Sequence, residues 1–351
     1  MKKDSKIFIA GHKGLVGSAL MKKLQNEGFV NLITRSHTQL DLTEQKAVHD
    51  FFDKERPQYV FLCAAKAGGI AANSTYRADF IYENLMIESN VIYHAYKFGV
   101  KKLLFMASTS VYPKDKSFIV EEDLLSGKLD FSNKPYALAK MAGLVMCESF
   151  NIQYNTNFLG VTPINLYGNN DKFDLEKAHV MPALLRKFHL AKLLSEKKDE
   201  EVLKDLRLNN IDEARKYLAL FGVSEESVEI WGSGKQKREF LHSDDLAEAC
   251  IFLMQNVDFK NLVQDKKEVE NTHFNISSNE NIRIKDLALL IKKIVGFKGE
   301  LEFNTSRPDG IAGRLTSSAK INALGWKAKI NLEQGIKMMY EWYLKQNNFR
   351  K

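Results

Sequence analysis

The chain has little cysteine: Cys63, Cys147 and Cys250 are the only three in 351 residues, and no two stand in C-x-x-C spacing. A disulfide framework is therefore excluded, no metal site is suggested, and all three read as small buried hydrophobes. Long apolar runs are also missing. No stretch approaches the roughly 18 residues needed to span a bilayer, and the start, M-K-K-D-S-K-I-F-I-A-G, has too short an apolar stretch for a signal peptide. The expected setting is the cytoplasm, with no membrane partner. Internal repeats and low-complexity tracts are absent too.

What is present suffices for a sizeable core, since 44% of the residues are hydrophobic, and the length fits one large domain or two modest ones. The net charge of +7 favours an anionic partner. Lys and Arg are spread along the chain rather than gathered in a strip, which suits a small phosphorylated ligand and gives no reason to expect nucleic acid. The one compositional shift runs from Ser195 to Phe221, dense in charges of both signs with Leu and Ile at helical spacing. It reads as a solvated helical pair inserted between two functional segments.

K-I-F-I-A-G, ending on Gly11, is a short apolar strand, and H-K-G-L-V-G-S-A-L-M-K-K-L then switches to helical periodicity. Gly11, Gly14 and Gly17 bracket Lys13, Leu15 and Val16 in a turn whose missing side chains let backbone N–H groups approach a pyrophosphate. The next strand, V-N-L-I-T-R, ends at Arg35, where a site preferring NAD usually carries an acidic residue for the ribose 2′-hydroxyl. Arginine there meets a 2′-phosphate instead, with Lys13 as a second cation, so NADPH is the favoured cofactor. Asp41 and Leu42 follow where an adenine-edge contact fits, although Asp41 can equally cap a helix starting T-E-Q-K.

Further strands, Y-V-F-L-C-A-A, K-L-L-F-M-A-S and N-F-L-G-V-T-P, each precede a helical pattern. The predicted fold class is α/β, a Rossmann-type doubly wound parallel sheet with a smaller discontinuous substrate domain. The strand ends Ala64-Ala65-Lys66, Ser108 to Ser110 and Pro163 to Gly168 should border one crevice.

Twenty-eight residues past Ser108 comes Y-A-L-A-K, with Tyr136 and Lys140 on one helix face. An ammonium beside a phenol lowers its pKa from about 10 and makes it a usable proton donor. With a strand-end serine to hydrogen-bond a carbonyl oxygen, the set suits hydride transfer to a ketone.

These motifs, together with A-A-K-A-G-G-I-A-A-N, D-F-I-Y-E-N-L-M-I-E-S-N, N-L-Y-G-N-N-D-K-F, H-V-M-P-A-L-L-R-K-F-H, W-G-S-G-K-Q-K-R-E-F-L-H-S-D-D and R-P-D-G, span nearly the whole chain. On them the chain resembles the extended short-chain dehydrogenase/reductases, and within these the GDP-L-fucose synthase family. The resemblance implies a reductase triad of Ser108, Tyr136 and Lys140, with Lys140 also holding the nicotinamide ribose. It implies that Pro163, Asn165 and Leu166 order the nicotinamide, beside His179, the acid of epimerisation. It further implies substrate contacts from Lys187, Trp231, Arg238 and Asp309. Trp231 could otherwise be core packing, Arg238 a surface charge and Asp309 a turn residue. The implied domains are 1–167 with 238–275 for NADP and 168–237 with 276–351 for the nucleotide sugar. The implied assembly is a homodimer through helices beginning near Asp79 and Tyr136.

In the resembling enzymes a cysteine two residues past the triad serine is the base for C3 and C5 epimerisation; here Ser110 stands there. A thiol titrates near 8.5, whereas an alcohol ionises at least about five units higher. The expectation is a C4-ketoreductase of a GDP-linked 4-keto-6-deoxy sugar, hexose or heptose, with epimerase activity weak or lost. A bifunctional GDP-L-fucose synthase and a non-catalytic dinucleotide sensor are the alternatives. A 4,6-dehydratase is disfavoured because Ser108-Thr109-Ser110-Val111 holds no carboxylate.

Overall fold

The computed structural model describes residues 1–264, 267–306 and 313–346. In chain order it begins with β1 (Ile7–Ala10), α1 (Leu15–Asn26), β2 (Leu32–Ile33), α2 (Gln45–Glu55), β3 (Tyr59–Leu62), α3 (Ile70–Thr75), α4 (Arg77–Lys97) and β4 (Lys102–Met106). Next come β5 (Phe118–Ile119), α5 (Lys134–Tyr154), β6 (Phe158–Pro163), β7 (Asn165–Tyr167), α6 (Val180–Ser195), α7 (Asp199–Leu206), α8 (Ile211–Ala219), β8 (Ser227–Trp231) and β9 (Lys237–His242). The remainder is α9 (Ser243–Asn256), α10 (Phe259–Leu262), β10 (Phe274–Ile276), β11 (Asn281–Arg283), α11 (Ile284–Val295), β12 (Glu300–Asn304), β13 (Leu315–Thr316), α12 (Ala319–Ala323) and α13 (Leu332–Leu344). The chain divides into two compact units, one of Met1–Leu166, Phe240–Asn279 and Leu315–Ile330, the other of Tyr167–Glu239, Glu280–Arg314 and Asn331–Lys351.

The first unit is built on a six-stranded sheet in the order β10-β6-β4-β3-β1-β2, parallel at every pairing. Strands covered on both faces must be apolar throughout, and I-F-I-A of β1 is buried at all four positions. Side chains alternate between two cores. Ile7 and Ile9 pack with Leu20 and Leu24 of α1 and Leu246 and Leu253 of α9, while Phe8 and Ala10 face Val48 and Phe52 of α2 and Val91 of α4. Strand order reverses at β1, with β2 on one side and β3 on the other. The carboxyl ends at such a reversal are where doubly wound sheets bind ligands.

The segment 315–330, which the sequence predicts to lie with the second domain, packs in the first unit. β13 pairs with β5, Ser318 Oγ accepts from the Ser277 N–H at 2.7 Å, and Trp326 is buried in the core around β1 and β10. Strands of two residues with partners almost two hundred positions away leave too little periodicity to be read from sequence.

In the second unit, β8 pairs in parallel with β12 and β9 antiparallel with β11. α11 buries Ile284, Leu287, Ala288, Ile291 and Val295, an i, i+3, i+4, i+7 stripe, and stops at Gly296, whose φ of +83° is a left-handed C-cap. The predicted helical pair appears as α7 and α8 but is less solvated than expected. Asp205 of α7 is buried, pairs with Arg186 of α6 at 2.8 Å and accepts from the Tyr343 hydroxyl of α13 at 2.5 Å. No helix among the described residues is long and apolar enough to cross a membrane.

Candidate active site

The glycine turn closes β1 against β3. Gly11 has φ +84°, and a Cβ there would lie 2.7 Å from the Ala64 backbone nitrogen; one on Gly17 would lie 2.2 Å from the Gly11 carbonyl oxygen. Both contacts exclude any side chain. Gly14 is the N-cap of α1 and supplies no side-chain acceptor, so the first-turn N–H groups around the half-buried Leu15 and Val16 have no N-cap side chain to satisfy them. A pyrophosphate is the kind of group such a cradle fits, and a dinucleotide suits the residues present. Lys13 is exposed beside it.

Arg35 already has protein partners: its Nη2 pairs with Glu55 of α2 at 2.5 Å and its Nη1 donates to the Thr34 carbonyl at 2.7 Å. A 2′-phosphate there would share Arg35 with Glu55. Asp41 accepts from the Thr43 N–H and hydroxyl at 2.9 and 2.7 Å, so its side chain caps the turn before α2, which starts at Gln45 rather than Thr43. Leu42 packs at the edge of the α2 and α4 core. After β3, Ala64 and Ala65 are half-buried, and Lys66 is clamped from α4: Asn84 holds its backbone N–H and carbonyl while Glu83 and Asp79 pair with its ammonium.

At the end of β4 the chain enters a single 3-10 turn, Thr109–Val111, capped by Ser108, whose Oγ accepts from the Ser110 N–H at 3.2 Å. With an acceptor position used, the Ser108 hydroxyl proton is left to donate. Tyr112 anchors the turn from below, its hydroxyl 2.5 Å from Asn275 Oδ1 and 2.7 Å from His273 Nε2. Ser110 Oγ is buried and has no hydrogen-bond partner among the described residues.

Pro135 fits the first turn of α5, and Tyr136 and Lys140 follow one helical turn apart. Lys140 Nζ lies 5.8 Å from the Tyr136 ring centroid and 4.8 Å from that of Phe105. Its closest charged partner is Glu88 of α4, at 2.9 Å, with both side chains 2% exposed. Gly143 makes room for this meeting, because a Cβ there would strike the Phe105 ring at 2.4 Å and Glu88 Oε2 at 2.9 Å. Phe80, Asn84 and Glu88 thus form one stripe on α4, with Phe80 edge-on to the Tyr136 ring. The spacing predicts a Tyr136 pKa lowered by Lys140, and the structure corrects this: burial raises it above its ordinary value, Lys140 lowers it by less, and Glu88 opposes Lys140. Pro163 ends β6 beside Ile276, Asn165 is exposed at the start of β7, and Leu166 packs against the sheet core.

In the second unit, His179 occupies the N-cap of α6 without using its side chain as a cap; its surface is exposed, and partial desolvation by the neighbouring chain, then Lys172, lowers its pKa from the ordinary value. Lys187 is buried on the same helix, donates to the Glu229 carbonyl at 3.2 Å, and is pushed down to about 8 by burial, with Glu229 opposing. Trp231 is 55% exposed at the end of β8 and is not core packing. Arg238 is half-buried; burial and then the like charge of Arg314 press its pKa down. Asp309 lies outside the described residues. Two residues not singled out by sequence also stand out. Glu88 resembled any helix-surface acid, and Asp171, between β7 and α6, has a buried Oδ2 without a partner among the described residues and is pushed up to about 7 by burial.

Residues 7–276 match the NAD dependent epimerase/dehydratase family. A putative GDP-L-fucose synthase 2 of Arabidopsis thaliana is 47% identical over 98% of this chain and 93% of its own. Among solved structures, a GDP-6-OMe-4-keto-L-xylo-heptose reductase from Campylobacter jejuni is 54% identical, covering 98% of this chain and 99% of that one with a TM-score of 0.94. A GDP-D-glycero-L-gluco-heptose synthase from the same organism, solved in the presence of NADPH, is 53% identical, covering 98% and 100% with a TM-score of 0.94. Sheet order, glycine cradle and sequence likeness agree, and the chain belongs to the NAD dependent epimerase/dehydratase family, among the relatives of GDP-L-fucose synthase.

Proposed function

We propose that this protein is an NADPH-dependent C4-reductase of a GDP-linked 4-keto-6-deoxy sugar, and that it does not epimerise C3 or C5 efficiently. NADPH, when bound, supplies the hydride that C4 accepts. Ser108 donates a hydrogen bond to the C4 oxygen, and Tyr136 transfers its phenolic proton to that oxygen as it becomes a hydroxyl. Lys140 stabilises the resulting phenolate until solvent reprotonates it. Lys187 and Arg238 neutralise the diphosphate and Trp231 offers a flat apolar face. A heptose is the favoured sugar because the Campylobacter relatives are named for heptoses.

The observation that carries the reductase-only part is Ser110. An alcohol becomes a base only if another group takes its proton, and the Ser110 Oγ has no partner among the described residues. The thiols do not replace it: burial pushes Cys63 up to about 12 and raises Cys147 and Cys250 as well. His179, lowered from its ordinary value, carries the proton that an acid must donate in only a minority of molecules at pH 7. In deuterated water with a GDP-4-keto-6-deoxy sugar and no NADPH, the wild type should exchange little deuterium into C3 or C5, and Ser110→Cys should exchange more. Rapid wild-type exchange would return the protein to full GDP-L-fucose synthase activity and make Asp171 the first residue to replace.

A cytoplasmic location accords with a soluble cofactor and nucleotide-sugar substrate. A homodimer is supported by α4 and α5, which leave Tyr82, Tyr93, Leu138, Val145 and Ile152 exposed. Sedimentation as a monomer at micromolar concentration would remove that assignment.

A further inference from the structure

We propose that Glu88 is a positioning residue of the proton relay: its carboxylate, 2.9 Å from Lys140 Nζ in a pocket closed to water, keeps Lys140 an ammonium beside Tyr136. This rests on the reductase assignment of Tyr136 and Lys140. A buried ammonium without a counter-ion sheds its proton. The chain contains that contrast within itself. Lys187, buried but hydrogen-bonded to a carbonyl, falls to about 8, whereas Lys140, more deeply buried, is raised above its ordinary value because Glu88 and then Tyr136 outweigh its desolvation.

Among the described residues, α4 presents Glu88, whose carboxyl burial pushes up and Lys140 draws back down, α5 presents Tyr136, the residue after β3 is Cys63, and β4 presents the Phe105 ring. Cys63, up at about 12, is neutral at working pH and cannot stand in as the counter-ion. On the far side of Glu88 lies the Cys147 thiol, itself raised by burial and neutral. The pocket is built for the carboxylate: Gly143 omits the Cβ that would collide with Glu88 Oε2, and Asn84, one turn before Glu88, fixes α4 by bonding to both backbone groups of Lys66.

The test compares wild type, Glu88→Gln and Glu88→Asp. In Glu88→Gln the Lys140 titration midpoint should fall well below that of wild type, so kcat/KM for keto-sugar reduction should drop about tenfold further than wild type between pH 7 and 9. Glu88→Asp keeps the charge and should hold the wild-type alkaline limb, with a lower plateau. A purely structural role would lower the plateau or the melting temperature without moving the limb. The independent readout is the pH titration of the Lys140 side chain by NMR in protein labelled with carbon-13 at lysine Cε, the resonance assigned by its loss in Lys140→Met. A Lys140 titration midpoint in Glu88→Gln equal to that of wild type overturns the proposal whether or not the sugar chosen turns over. If wild type reduces no keto sugar while the midpoint does shift, the functional assignment fails and the Glu88 role stands. If Glu88→Gln does not fold, Glu88→Met, similar in shape and uncharged, takes its place in the Lys140 titration: a midpoint below that of wild type supports the pairing, and an equal midpoint overturns it.

Discussion

Replacing Lys187 by methionine should stabilise the protein and weaken its grip on the nucleotide. Burial depresses the Lys187 pKa from 10.5 to about 8, with Glu229 only partly opposing. Between about 8 and 10.5 the unfolded chain therefore holds a proton that the folded chain has released, so this group's contribution to stability rises with pH across that window. Below pH 8 the penalty is fully present. At about 1.4 kcal/mol per unit it amounts to roughly 3 kcal/mol at most, and methionine, similar in shape and uncharged, removes it. Urea unfolding at pH 7 should place Lys187→Met above wild type by about 1 to 3 kcal/mol, with the difference shrinking towards zero by pH 10.5. GDP should do the opposite. Losing one charge-assisted contact to a diphosphate should cost about 2 kcal/mol, or about thirtyfold in Kd by calorimetry. Wild-type affinity for GDP should itself decline above pH 8 as the free protein loses the ammonium. A variant less stable than wild type at pH 7, or one binding GDP as tightly, would refute both the burial accounting and the place of Lys187 in the diphosphate site.

Two further outcomes are expected. Tyr136→Phe should reduce kcat for keto-sugar reduction by a factor of about 10² to 10⁴ with NADPH affinity nearly intact, and wild-type turnover in this variant would remove the proton donor from the scheme. Cofactor choice should favour NADPH over NADH by about thirtyfold in kcat/KM through Arg35 and Lys13. Glu55→Gln, by freeing Arg35 from its carboxylate, should enlarge that ratio; equal efficiencies with the two cofactors would detach Arg35 from the 2′-phosphate.

The central sheet was legible because β1, β3, β4 and β6 are apolar on both faces, and such runs stand out against the helices between them. β2 was read as a six-residue run and has two paired residues, since an edge strand needs only enough backbone to meet β1. β10, three residues long, and the return of β13 carried too little pattern to announce themselves. At the candidate site, glycines and a Tyr-x-x-x-Lys pair are visible because their spacing within one segment carries their chemistry. Glu88 is invisible for the opposite reason. A glutamate on a 21-residue helix looks solvated until the helix is laid against α5 and Lys140 proves to face it at 2.9 Å.

The anchorage of α7 has a consequence for how such a segment could ever be lost. Asp205 satisfies Arg186 with its backbone carbonyl and one carboxylate oxygen, and takes the Tyr343 hydroxyl on the other. Cutting 197–221 back to a short turn would take the Asp205 ion pair from the half-buried Arg186 and the Asp205 carboxylate from the fully buried Tyr343 hydroxyl, each a loss of roughly 1 to 3 kcal/mol. The segment is a dependency for two helices outside it, α6 and α13. The route back to a shorter chain passes through at least two compensating substitutions, at Arg186 and Tyr343, before the deletion becomes tolerable.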